Sequence, residues 1–361
     1  MKKKWNAIMA VFCILLTACT NSDNTDTNQI IAETSETESV NSEILNSQTV
    51  HDFESESSVH KVYPANGSVK KLLSEFAVES RQLSKSGRDN AAKFIVNKLQ
   101  SSGWNVTQEE FPVYRYKDIF SEPYNISENG DFVGTGNNII AELPNFDRNK
   151  PTLILSAHYD TTKDNVGIID NGSGTAFLLS SGEWLSDFDR DFNLRLIFFD
   201  VEESRMYGSK YYLEQLSDEE RSKIIADINF DVIGGNHLSV GTVNGFENAL
   251  SIYLERLAKV ESDLSDKGSS SDSDPFMHWQ IPAVTYIDLS LPIDPCENSS
   301  YIDHVSDESF ETLASQLADI INGFDIDEFT AMKNSQIKTD YNGKNIDNIY
   351  KACLLYTSDA A

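Results

Sequence analysis

From Pro151 onward, short aliphatic runs alternate with longer stretches of helical periodicity, and this alternation limits the possible fold more than any other feature of the chain. The runs Thr152 to Ala157, Leu194 to Asp200, Ile224 to Phe230, Leu238 to Thr242 and Ala283 to Asp288 have strand length and aliphatic or aromatic content. Helical spacing falls near Gly174 to Leu185, Arg205 to Gln215, Phe246 to Val260 and Ser309 to Ile321. Such a rhythm predicts an α/β fold, a three-layer sandwich in which a central mixed, mostly parallel sheet is flanked by helices. In open sheets of this kind ligands bind at the carboxyl ends of the strands.

Upstream, two helical patterns lie between Val69 and Trp104, the second carried by Ala91, Ile95 and Leu99 with Gly103 as its stop. Asn105 to Val113 and Asn138 to Leu143 read as strands, and Tyr114 to Gly136, rich in Pro, Gly and Asn, reads as a long surface connection.

Both ends look foreign to this domain. Residues 1–18 combine three lysines, a short apolar run and small residues before Cys19, the pattern of a secretory signal. Leu16-Thr17-Ala18-Cys19 resembles the lipobox of bacterial lipoproteins, which implies lipidation of Cys19 and a protein exported and anchored to the bacterial membrane by the lipid alone, facing the extracellular side or the periplasm. Residues 19–61 are acidic and polar, with too little apolar surface to offset the entropy of ordering, and are expected to form a flexible tether. A folded domain is expected over 62–330, followed by an extension over 331–352. Residues 353–361 resemble the conceptual translation of a sequencing-library adapter and are set aside. Of the four cysteines only Cys296 then belongs to the domain, so no disulfide framework is expected. A formal net charge of -28 argues against nucleic-acid partners and against binding of anionic lipid by a basic patch. Oligomeric state is left open.

His158 is one of only six histidines, and it stands where the run Pro151 to Ala157 ends, two residues before Asp160. Other acids and histidines gather at comparable places: Asp170 in "IIDNGSG", Glu202 and Glu203 in "FFDVEES", Asp231 in "INFDVIGG" and His304 in "YIDHVSDES". Each alone reads as an ordinary turn, loop or surface residue. His51, His60, His237 and His278 match no such position.

Taken in order, "AHYD...DN.SG", "FFD.EE...GS", "N.D.IG" and "SD..PF...IPA" resemble the zinc-dependent exopeptidases of metallopeptidase clan MH, the di-zinc aminopeptidase family that includes secreted bacterial leucyl aminopeptidases. The resemblance spans roughly residues 70 to 325 and makes 62–330 a di-zinc peptidase domain of the phosphorylase/hydrolase-like type. It implies two zinc ions, with Asp170 bridging them, His158 and Asp231 on one, and Glu203 and His304 on the other. Asp160 would fix the tautomer of His158, and Glu202 would act as general base in hydrolysis of peptide substrates, most simply by release of N-terminal residues. Zinc ions about 3.5 to 4 Å apart can share and acidify a water. In the Asp170-Asn171-Gly172-Ser173-Gly174 turn, glycines permit tight backbone and Ser173 is placed to cap the following helix.

Two positions depart from the family pattern. Ser273 stands where the later motif often carries His, and Asp303 stands where Tyr commonly precedes the last histidine, so an oxyanion-stabilising phenol would have to come from Tyr301 or Tyr286 or be absent. Two rival readings share the scaffold: a glutaminyl-peptide cyclotransferase, typically with one zinc, and a non-catalytic lipid-anchored binding domain. The Asp-Asn-Gly-Ser-Gly turn and the complete ligand set favour hydrolysis.

Overall fold

The computed structural model describes residues 61–336, apart from 65–66, 84, 116–129, 163, 243–247, 260–261, 264–270 and 295. The expected signal segment, almost all of the tether, most of the C-terminal extension and the adapter-like tail therefore lie outside the described residues.

Among the described residues, eight strands form one mixed sheet in the order β1-β2-β4-β3-β5-β8-β6-β7. They are β1 (Asn105–Arg115), β2 (Asp131–Glu142), β3 (Thr152–His158), β4 (Asn193–Phe199), β5 (Ile224–Phe230), β6 (Ser239–Gly241), β7 (Ser262–Asp263) and β8 (Ala283–Ile287). The centre, β4-β3-β5-β8, is parallel throughout, while β1 and β2 on one side and β6 on the other join antiparallel. All seven residues of β3 are buried, as a strand covered on both faces requires.

Period-2 alternation divides the apolar side chains between two layers. Leu153, Leu155 and Ala157 of β3, with Leu194, Leu196 and Phe198 of β4, belong to the large cluster shared with α1 (Val69–Phe76), α2 (Ser86–Ser101), α3 (Gly174–Leu185), α6 (Ala249–Ala258) and α8 (Asp307–Gly323). Ile154, Ile197 and Phe199 belong instead to a smaller cluster with Tyr212 and Leu213 of α4 (Tyr207–Gln215) and Phe276 of α7 (Ser273–His278). This is the three-layer arrangement expected from the alternation of elements.

Three local features were not anticipated from the sequence. The supposed connection Tyr114 to Gly136 already contains the first residues of β2, which starts at Asp131. Gly136 looked like loop punctuation, but a Cβ there would lie 2.3 Å from the Phe111 ring, so the glycine serves close packing across the β1–β2 pair. Short α5 (Asp218–Lys223) begins with a Ser217–Glu220 capping box in a stretch without apolar periodicity. Finally, α9 (Ile326–Gln336) runs through the expected boundary at 330, with Phe329 fully buried against Tyr253 and Phe324.

One buried carboxyl is part of the sheet itself. Asp227, in the middle of β5, accepts from the Ser156 hydroxyl at 2.8 Å, and its second oxygen has no hydrogen-bond partner. Burial raises its pKa well above the ordinary value. A raised folded-state pKa means that the folded protein keeps this proton to higher pH than the unfolded chain does, so the group's contribution to stability falls as pH rises above about 4, the unfolded value. Asp227→Asn should make urea stability less steeply dependent on pH than in the parent between about pH 5 and pH 8; equal slopes would show that Asp227 stays ionised in the folded protein.

Candidate metal centre

Parallel register brings the strand ends level, with His158 opposite Phe199. One more ladder bond follows each strand: the Tyr159 amide donates to the Phe199 carbonyl at 2.9 Å and the Asp231 amide to the Tyr286 carbonyl at 3.0 Å. Beyond these bonds the chain turns away, leaving His158, Asp160, the Glu202–Glu203 turn and Asp231 on one edge of the sheet. Asp170 arrives from a π-helical turn, Ile168–Ser173, that leads into α3, with a cis peptide joining it to Asn171.

Among the described residues, one group of three brings its ligand atoms within 4.8 Å of one another: His158, Asp170 and Asp231. His158 Nε2 lies 3.3 Å from Asp170 Oδ1 and 3.3 Å from Asp231 Oδ1. Two ligands on a tetrahedral metal, each about 2.0–2.1 Å from it, sit about 3.3 Å apart. Asp231 Oδ1 is buried without a hydrogen-bond partner, whereas Asp231 Oδ2 accepts from the Ser271 hydroxyl at 2.7 Å. One imidazole nitrogen and two carboxylate oxygens, one of them an orphan aimed at the gap, fit a zinc ion.

The surrounding groups hold this set in place. His158 Nδ1 is 3.3 Å from Asp160 Oδ1, the contact that would fix its tautomer. Asp160 also accepts the amides of Glu202 at 3.0 Å and Glu203 at 3.3 Å, so one carboxylate ties the β3 end to the β4 end. Glu202 Oε2 lies 3.9 Å from His158 Nε2, beside the group of three. Glu203 accepts from the Thr162 amide at 3.1 Å. His304 ends a short 3-10 turn, is exposed, and rests its ring 5.5 Å from that of Tyr301. Glu203 and His304 thus stand outside the group of three.

Electrostatically the edge is an excess of acid around one imidazole. Burial works against the charged form of His158, but Asp231, Glu202, Asp160 and Asp170 outweigh it and hold its pKa well above normal. Burial, then the repulsion of Asp272 and Glu203 against the pull of His158, lifts Glu202 well above the usual carboxylate range. Glu203 rises likewise through burial and the Asp170 charge. A divalent cation would relieve the crowding.

Other sequence expectations resolve differently. The Ser173 side chain makes no capping bond to the α3 amides: its hydroxyl donates to the Ile169 carbonyl at 2.7 Å, and Asn171 Oδ1 accepts the Gly174 amide at 2.9 Å. Of the two phenols considered, Tyr301 donates to Asp294 at 2.7 Å, and Tyr286 is buried in β8 with an unpartnered hydroxyl, stacked on Phe230. Ser273, in the place of an imidazole, pairs with Thr285 at 2.8 Å inside a buried polar layer that also contains Asn229 and Ser271. Sequence reasoning passed over Asp200, which is fully buried, paired with Arg88 at 3.1 Å, and pushed up to about 7 by burial and the neighbouring Asp160 charge. Its place directly after a buried strand was the available signal.

The turn carrying Asp170 tolerates little change. Gly167 has φ +55°, and a Cβ there would fall 2.4 Å from the Asp170 carbonyl oxygen and 2.4 Å from Thr161 Cγ2. Gly167→Ala should destabilise the protein by about 1–3 kcal/mol, the scale of a strained left-handed residue, and urea unfolding with a loss under about 0.5 kcal/mol would contradict the packing described.

Three comparisons with known proteins place the chain among its relatives. Aminopeptidase YwaD of Bacillus subtilis (strain 168) is 30% identical over 162 residues, covering 42% of this chain and 36% of that protein. Leupeptin-inactivating enzyme 1 of Streptomyces exfoliatus is 28% identical over 209 residues, covering 56% and 43%. The chain thus spans less than half the length of these curated relatives. Among solved structures, the zinc aminopeptidase BSAP from Bacillus subtilis superposes with a TM-score of 0.58 at 16% identity, covering 70% of this chain and 93% of that one. The glutaminyl cyclase of Bacteroides thetaiotaomicron, bound to N-acetylhistamine, also gives 0.58 at 16% identity, covering 74% and 100%. At such identity these two likenesses speak for the fold alone. Residues 138–325, more than half of the chain, match Peptidase family M28, and the chain belongs to that family.

Proposed function

We propose that this protein is a zinc-dependent aminopeptidase that releases N-terminal residues from extracellular peptides. The observation that carries this reading is the His158–Asp170–Asp231 group with 3.3 Å spacings, beside which Glu202 is free of any other assigned task. His158 and Asp231 would hold one zinc, Glu203 and His304 a second, and Asp170 would join both sets. Three of these five residues, His158, Asp170 and Asp231, have ligand atoms within 4.8 Å of one another, while Glu203 and the exposed His304 stand outside that group. Bound zinc would polarise the scissile carbonyl and acidify the attacking water. Glu202 takes the proton from that water at its carboxylate and returns it to the departing amine. Burial and neighbouring acids already raise its proton affinity, which suits a group that must both accept and give a proton. Asp160 keeps the His158 ring oriented and acts without touching substrate.

In this reading the lipid on Cys19 is the membrane attachment; among the described residues no helix is long and apolar enough to cross a membrane. A second reading, a glutaminyl cyclase with one zinc, draws support from the one three-residue group found among the described residues.

The two are separated by incubating the zinc-loaded protein with one peptide beginning in Leu and one in Gln, with and without chelator, followed by mass spectrometry. Chelator-sensitive loss of the first residue is the expected result; loss of ammonia from the Gln peptide alone would establish the cyclase instead. Glu202→Gln should lower kcat by about two orders of magnitude or more while the protein still retains its zinc. Undiminished turnover in that variant would remove Glu202 from the chemistry.

A further inference from the structure

Residues 159–173, the segment between β3 and α3, carry both Asp160 and Asp170, and their backbone is gripped from two sides by side chains of opposite charge. Arg81 is only 1% exposed. Its Nε donates to the Tyr159 carbonyl at 2.6 Å, Nη1 to the Val166 carbonyl at 2.5 Å and Nη2 to the Gly167 carbonyl at 2.9 Å. Its own amide donates to Thr161 Oγ1 at 3.0 Å, and the guanidinium carbon sits 4.7 Å from the centre of the Phe76 ring. From the other side, Glu297, 3% exposed, accepts the Ile169 amide at 2.7 Å and the Asp170 amide at 3.3 Å. One fork of donors thus fixes the carbonyls just before the turn, and one carboxylate fixes the amides within it.

These bonds are costly to assemble. A buried guanidinium without a directly bonded carboxylate is rare, because its desolvation must be offset by hydrogen bonds and by nearby negative charge. Here Asp160, Glu297, Asp170 and Glu203 all lie near enough to oppose the effect of burial, which lowers Arg81 only to about 10 and leaves it charged at neutral pH. Three carbonyls pointing at one spot call for a rigid planar fork, a requirement a lysine ammonium cannot meet.

We infer that Arg81 and Glu297 are paired positioning residues which set the place of the Asp170 carboxylate relative to His158, and through it the affinity of the centre for zinc. The inference rests on the metal-site reading of the preceding subsection. The bonds of both side chains described above go to backbone groups. Bare charge predicts the opposite sign for Arg81, since removing a cation beside a metal site strengthens attraction of Zn2+; positioning predicts that affinity falls even when the charge is kept.

The test is zinc titration of the full chain against a chelating dye, applied to the parent, Arg81→Lys, Arg81→Met and Glu297→Gln, with folding followed by circular dichroism. Loss of Asp170 placement should weaken zinc binding about 10- to 100-fold in Arg81→Lys and Glu297→Gln, the range for residues that orient metal ligands. With a cleavable peptide, KM should stay within about twofold, while kcat at limiting zinc falls and recovers at excess zinc. Should Arg81→Lys fail to fold, Arg81→Met decides, since charge and positioning predict opposite signs for it, whereas Glu297→Gln removes a negative charge and would weaken zinc binding on either account. A folded Glu297→Gln or Arg81→Lys protein with parental zinc affinity would overturn the inference and leave the metal-site reading intact, as would tighter binding in Arg81→Met. A parent that binds no zinc would overturn both.

Discussion

Parallel pairing of β3 with β4 and β5 is the constraint on which everything else at this edge depends. It ends three strands at one level, and the ladder bonds at Tyr159 and Asp231 extend that order by one residue before the chain departs. Because side chains alternate along a strand, a slip of one residue would turn His158 into the core and present Ala157 to the edge. The positions of the candidate ligands are therefore inherited from backbone register, with local hydrogen bonds refining what the sheet has already placed.

Register alone would leave an unstable crowd of acids. What makes the crowd tolerable is that most of its members have dipoles or donors assigned to them: Asp160 faces two amides, Asp231 a hydroxyl, Glu203 an amide and Glu297 two more. Neutral donors hold the carboxylates without consuming the charge that attracts a cation. The oxygen left over on Asp231 marks where such an assignment is missing within the protein.

How legible this was in the sequence differs from element to element. The core strands β3 and β5 could be read from their aliphatic runs, because strands buried on both faces are mostly apolar, even where Ser156, Asp227 and Asn229 interrupt the run. The β2 start could not, since Gly130 and Gly136 pack closely against β1 while looking like turn residues. At the site, His158, Asp170 and Asp231 were visible through their place after buried runs and through the family resemblance, and folding brings them together. Arg81 and Glu297 gave no signal: each lies in a stretch without periodicity, and its partners are 78 to 86 and 127 to 128 positions away in the chain. Ser173 was visible but misread, because the Ile169 carbonyl on the preceding turn took the hydroxyl that the sequence assigned to the helix amides.

The sheet order has a consequence for how the chain must reach this state. β3, in the centre, meets β4 only after α3 has been laid down and β5 only after α4 and α5, so none of the three can pair through a tight local turn. Such long-range pairing is slow to nucleate, since chain closure must precede any gain from contact. His158, Asp170 and Asp231 therefore come within reach of one another only when the parallel core is complete. A cation captured there would act as a latch on the finished fold, stabilising the native ensemble by mass action while offering nothing to a half-assembled chain.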